Sequence, residues 1–154
     1  MKTWPCLFWI AWVLAGCDLE ELPPPPVSKA ETAYRTHCGT CHQWDGKGIP
    51  GMYPPIAGVD WVREADAERL IRVVLHGMVG PLHLNGEAFQ TSAPIMPGQG
   101  AMLSDERIAE VLTFVMRRFG GRDVTVSNEE VRTVREGDGK RTLPWTEREL
   151  FGEE

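Results

Sequence analysis

The sequence predicts an all-α domain whose helices wrap around something other than protein. Apolar residues recur at helical spacing in three separate segments, and no alternating run is long enough to suggest a strand. Between the helical segments lie long stretches dense in glycine and proline, "DGKGIPGMYPPIAG" (45–58) and "GPLHLNGEAFQTSAPIMPGQG" (80–100). Loops of that length are uncommon in a small domain unless a further group fills its centre. The third observation is "CGTCH", which brings Cys38, Cys41 and His42 together in one short stretch.

The chain has 154 residues, 42% of them hydrophobic and 25% charged, enough for one small core. A net charge of −6 and the lack of any basic cluster argue against nucleic acid as a partner. The first residues stand apart. "MKTWPCLFWIAWVLAGC" places Lys2 before an apolar run from Cys6 to Gly16, which is shorter than the roughly 20 residues a bilayer crossing needs. A positive start, a short apolar run and small residues at its end describe a secretory signal over residues 1–16. Its last four residues, "LAGC", resemble the lipobox of bacterial lipoproteins. That resemblance implies that Cys17 carries lipid and becomes the first mature residue. It further implies an exported bacterial lipoprotein on the periplasmic face of the inner or outer membrane. Residues 17–27 then form the lipid anchor and a linker stiffened by Pro23 to Pro26, which favour polyproline II and exclude helix.

The folded part follows in order. Ser28 with Glu31 makes a capping box for a helix to His37, with Ala30, Ala33 and Tyr34 on one face. A second helix runs from Asp66 to His76, with Leu70, Ile71, Val74 and Leu75 inward and Gly77 as its stop. The clearest helix begins after Ser104. Asp105 and Glu106 fill its first turn, Ile108, Val111, Leu112, Val115 and Phe119 make the apolar stripe, and Gly120 and Gly121 end it. These pieces define a domain over residues 28–121. Two more capping boxes, Ser127 with Glu130 and Thr146 with Glu149, predict two short helices in an extension over 122–154.

Cys-x-x-Cys-His is the attachment signature of c-type haem. Two thiols add to two vinyl groups on one porphyrin edge, and a helical turn puts residues three apart on one side. His42, next in the chain, then falls beneath the iron. A thioredoxin-like redox pair would need a βαβ unit, which the sequence does not show. A zinc site would need further ligands, for which His37, His76 and His83 are the candidates. Cys6 leaves with the signal and Cys17 takes lipid, so Cys38 and Cys41 remain for the haem.

The segments "YRTHCGTCHQWDGKG", "PPIAG", "LHGMVGPLHLNG", "IMPGQG" and "LSDERIAEVLTFV" together resemble a monohaem class I cytochrome c domain, over Tyr34 to Gly121. The resemblance implies one covalent haem c and a sixth iron ligand from a methionine in the loop before the last helix. Met96, framed by Pro94, Pro97 and Gly98, is the first candidate, with Met102 and Met78 behind it. Met52 belongs on the proximal side and Met116 in packing. The resemblance also implies that a proline carbonyl holds the second nitrogen of His42. Pro54 with Ile56 fits, and Pro55 is the alternative. Tyr34 and Phe114 match the aromatic contact between first and last helices. Trp61 is placed either to hydrogen-bond a haem propionate or to pack in the core. The implied function is single-electron transfer between redox partner proteins, on the side of a dehydrogenase or a terminal oxidase. No catalytic constellation is visible. The rival readings are a haem protein with an open sixth site that binds or turns over a small ligand, and a structural zinc lipoprotein.

Overall fold

A computed structural model describes residues 27–93 and 95–152. The expected signal, the lipid site Cys17, the proline run and Pro94 lie outside the described residues. The first helix, α1 (Lys29–His37), starts where Ser28 accepts a hydrogen bond from the Glu31 amide at 3.0 Å. A single helical turn follows, α2 (Gly39–His42), and then the Gly/Pro loop leads to α3 (Asp60–Glu64). Helix α4 (Ala67–His76) is capped by the Asp66 carboxylate, which accepts from the Arg69 amide. The long helix α5 (Asp105–Arg118) has Ser104 as its cap, with Asp105 and Glu106 at its positive end and Arg117 and Arg118 at its negative end.

Helix α5 is amphipathic on two sides. Ile108, Leu112 and Met116 pack with Leu70 and Ile71 of α4. Val111, Val115 and Phe119 pack with Ala33 and Tyr34 of α1 and with Val62 of α3. Tyr34 has no exposed surface, and its ring lies 5.4 Å from Phe114 and 5.2 Å from Phe119. The crossing of α1 and α5 is therefore an aromatic contact, worth about 0.5–1.5 kcal/mol per ring pair beyond the area it buries.

The extension is folded onto this frame. Helix α6 (Asn128–Gly137) begins with a complete capping box between Ser127 and Glu130. It buries Val131 and Val134 against α4 and α5. Arg135 reaches the Asp105 carboxylate at 2.8 Å and the Gly100 carbonyl at 2.8 Å. Asp138, just beyond the helix, takes a hydrogen bond from Arg72 at 3.0 Å. Helix α7 (Glu147–Phe151) is capped by Thr146 and Glu149, again as a complete box, and lays Phe151 on Trp61 with ring centres 4.4 Å apart.

The segment between α4 and α5 departs from expectation. The sequence reads as irregular there, yet it holds two antiparallel ribbons. Strand β1 (Gly77–Val79) pairs with β4 (Ile95–Pro97), and β2 (His83–Leu84) pairs with β3 (Glu87–Ala88). Strands of two or three residues are too short to carry a readable alternation, and β1 finds its partner only after the chain has looped back. Gly77 makes that pairing possible. It sits at φ +83°, and a Cβ there would collide with the Met96 carbonyl and with the Gly98 nitrogen.

The Thr146 cap yields a pH prediction. Glu149 accepts from Arg141 at 2.9 Å and from the Thr146 amide at 2.8 Å, and these bonds hold its carboxyl at about 2, below its ordinary 4.5. A depressed value stabilises the fold fully above pH 4.5, and the contribution fades as pH falls toward 2. Glu149→Gln is expected to lower the neutral plateau and to converge with the wild type as pH falls toward 2, which flattens that part of the acid-stability curve. Melting temperatures across pH 2–6 check it.

Candidate functional site

Helix α2 is one turn, closed at the Cys38 carbonyl, which accepts from the His42 amide at 2.9 Å and from the Cys41 amide at 3.2 Å. The chain then turns sharply, with Gln43 at φ 60°, a region that side chains other than glycine rarely adopt. The Tyr34 hydroxyl donates to the Gln43 carbonyl at 2.7 Å and fixes this turn from the helix crossing. The global packing of α1 on α5 is thereby tied to the orientation of the residue before the turn, His42.

The His42 imidazole is 9% exposed, and its Nδ1–H donates to the Pro54 carbonyl at 2.9 Å. Of the two prolines left open by the sequence, Pro54 supplies the acceptor. Burial lowers the His42 pKa, and the Pro54 carbonyl opposes that shift without reversing it. The ring is therefore neutral, with the proton on Nδ1 and the lone pair on Nε2, which is the form a metal requires. Cys38 is also largely enclosed. Burial pushes its thiol up to about 11, and neighbouring Cys41 adds to the shift. A disulfide-exchange nucleophile needs the opposite, a depressed thiol.

Gly48 is the residue of this site that sequence reasoning missed. Its amide donates to the His42 carbonyl at 2.9 Å. It sits at φ +65°, and a Cβ would strike the carbonyls of Tyr53 and Pro54. Only glycine lets the Pro54 carbonyl approach His42. The signal available in the sequence was the "DGKG" turn, which marked a loop without saying what it approached. Gly48→Ala places alanine in the left-handed region, at about 1–2 kcal/mol, and displaces the Pro54 acceptor. The expected result is a lower melting temperature together with a shifted reduction potential. A fall in melting temperature alone would confine Gly48 to a structural part.

The two apolar clusters flanking α5 meet at a cleft of two lobes, about 120 Å³ in the first and about 320 Å³ in the second. Its walls include Val59, Val74, Val111, Leu112 and Val115, with Cys38 at its edge. A second lobe continues past Cys41, Tyr53, Phe89 and Ile95. His42, Pro54, Leu82, Met78 and Met96 border both lobes. Ile56 and Trp61 line the first lobe, and Trp61 is packed on Phe151 at the same time.

The methionines separate clearly. Met96 is half-buried on the cleft, and Met78, buried, is its register partner across β1 and β4. Met102 is 67% exposed and Met52 is 41% exposed, and neither borders the cleft. Met116 is in the core beside α4 and α6. The remaining histidines are elsewhere: His37 is exposed, His76 lies 3.0 Å from Asp138, and His83 lies 2.9 Å from Glu147. The His76–Asp138 contact is close but not aligned as a hydrogen bond. Among the described residues no three His, Cys, Asp or Glu side chains converge as a metal-binding group, so zinc has no donor set here. An apolar slot with a neutral, oriented imidazole and two thiols at its edges does fit a haem.

An all-α frame closed on such a slot defines a class I c-type cytochrome. Residues 27–118 match the family described as cytochrome c, and the chain belongs to it. As a member of that family its cofactor is covalently bound haem c, the group by which such domains transfer electrons. Among its relatives, the cytochrome c subunit of the quinone alcohol dehydrogenase of Gluconacetobacter polyoxogenes is 34% identical over 104 residues, covering 67% of this chain and 21% of the relative. The fructose dehydrogenase cytochrome subunit of Gluconobacter japonicus is 35% identical over 109 residues, covering 68% of this chain and 21% of that one. Cytochrome c-552 of Thermus thermophilus is 36% identical over 86 residues, covering 54% of this chain and 63% of the relative. The chain thus spans about a fifth of the dehydrogenase subunits it matches.

Proposed function

We propose that this protein is a membrane-tethered carrier that shuttles single electrons between a dehydrogenase or respiratory complex and an acceptor. The observation that carries the reading is the meeting of His42 and Met96 at one cleft, with Cys38 and Cys41 at its edges. Cys38 and Cys41 would hold the haem covalently, and His42 and Met96 would ligate its iron. When bound, the haem supplies a one-electron couple, and a thioether ligand sets that couple at a high potential.

The protein's own residues do the rest. Burial keeps His42 neutral and the Pro54 carbonyl holds it oriented. The apolar walls exclude water, and the Gly77 turn brings the Met96 strand against β1. Trp61, at the cleft and on Phe151, is placed to fix a haem edge. A partner of the dehydrogenase type is supported by relatives that are named as cytochrome subunits of alcohol and fructose dehydrogenases. Coulometry on the purified holoprotein tests the carrier role. One electron per chain, reversible over many cycles, is expected. Net consumption of a small ligand during cycling would refute it.

Tethering rests on "LAGC" and the apolar run before it. Lipid on Cys17 would supply several acyl chains, enough for stable anchoring where one chain is marginal. The proline run behind it would lift the domain from the membrane, with its periplasmic face toward soluble or membrane-bound partners. Mass spectrometry of the N-terminal peptide is expected to find a diacylated Cys17, and Cys17→Ser is expected to release the protein from membranes. An uncleaved terminus starting at Met1 would contradict it.

A further inference from the structure

The segment after α6 does more than pack. Residues 139–152 return to the strands between α4 and α5 and touch them at two separate points, one at β1 and one at β2. The Trp145 amide donates to the Gly77 carbonyl at 2.9 Å, and the Val79 amide donates to the Trp145 carbonyl at 2.8 Å. Gly77 and Val79 flank Met78, and Met78 is the register partner of Met96. Trp145 therefore adds a third backbone to the β1–β4 ribbon, pairing in parallel at Met78. The second point is Glu147, whose carboxylate accepts from the His83 amide at 3.1 Å and lies 2.9 Å from His83 Nδ1, at β2.

The segment is itself latched. The Arg141 guanidinium lies 3.5 Å above the Trp145 ring and donates to Glu149 at 2.9 Å and to the Pro144 carbonyl at 3.2 Å. Arg72 of α4 lies 5.6 Å from the same ring while donating to Asp138. An indole held by two cations, each paired to a carboxylate, has little freedom to leave. The distal strands by themselves are three residues long, and a two-stranded ribbon of that size is marginal in water.

We infer that Trp145 is a positioning residue: it acts through β1 to hold the strand that presents Met96 to the cleft. The inference rests on the His42/Met96 reading for its consequence at iron, but its structural half, the pinning of residues 77–97, stands apart from it. Trp145 touches no reacting atom on this account. Its effect is to keep the weak thioether side of the site closed.

The test uses the holoprotein in two variants. Truncation after Asp138 removes the strap and keeps α6 with its core valines. Trp145→Pro removes the single amide that donates to Gly77. Both should keep covalent haem. Amide exchange across 77–97 is expected to rise at least tenfold while exchange in α1 and α5 stays as in the wild type, and cyanide is expected to bind ferric protein at least tenfold faster. Exchange in 77–97 and cyanide rates within twofold of wild type, even with a lower melting temperature, would overturn the inference. If wild-type protein lacks the red iron–thioether band, the Met96 reading fails by itself, and the exchange comparison still decides whether Trp145 positions the strands.

Discussion

Replacing Cys38 and Cys41 with serine is expected to abolish covalent haem and leave almost no folded protein. Haem-stained denaturing gels should lose the band on the polypeptide, and the amount of soluble protein should fall at least tenfold. The reason lies in the cleft. Its walls are apolar and come from both core clusters. Residual apolar cavity destabilises by about 24 cal/mol per Å³. A few hundred Å³ that cannot collapse then matches the whole stability of a small domain, about 5–15 kcal/mol. Single replacements should leave one thioether and an intermediate yield. Haem that stays on the wild-type chain through acid–acetone extraction is expected throughout, and its loss would contradict covalent attachment.

Met96→Ala is expected to lower the reduction potential and open the iron to carbon monoxide. A thioether favours the soft ferrous state, so removing it biases the couple toward ferric iron. Each tenfold change in that preference corresponds to about 59 mV, so a hundredfold loss would read as roughly 120 mV in voltammetry. Met102→Ala is the control. Met102 is 67% exposed and off the cleft, and its replacement should change neither potential nor ligand binding. Met78→Ala should have a smaller effect than Met96→Ala, because it loosens packing behind the Met96 strand and leaves the thioether in place. A larger effect from Met78 than from Met96 would exchange their parts.

The helices were legible because their determinants are local. Ser28, Ser104, Ser127 and Thr146 each cap a helix with the side chain the sequence offered for it, and Asp66, read as the first residue of its helix, is the cap of α4. The apolar stripe of α5 separates into its two packing faces only in three dimensions, since one periodicity serves both clusters. Helices α2 and α3 are a turn or so long and carry too few residues to show a period. The ribbons escaped for a different reason. Gly77 pairs with Pro97, and Trp145 closes on Gly77 from the far end of the chain, and neither distance is written in a local pattern.

At the site, "CGTCH" singles out Cys38, Cys41 and His42, and all three border the cleft; the family resemblance pointed to a proline carbonyl, Pro54 or Pro55, and the His42 ring meets that of Pro54. Gly48 and the Gln43 turn were invisible as functional residues, because their part is to let or make a backbone carbonyl stand in a particular place. Met78 and Met102 were close rivals on the sequence, both beside helix ends. Burial separates them, since Met78 is enclosed beside Met96 and Met102 faces solvent.

The closed His42/Met96 site is the centre of the account, and the ferric visible spectrum of the purified wild-type holoprotein tests it most directly. The weak red charge-transfer band of an iron–thioether bond should be present, should vanish in Met96→Ala and should persist in Met102→Ala. Its absence from the wild type, with carbon monoxide binding readily to the reduced protein, would contradict a closed carrier and leave a haem protein with an open sixth position.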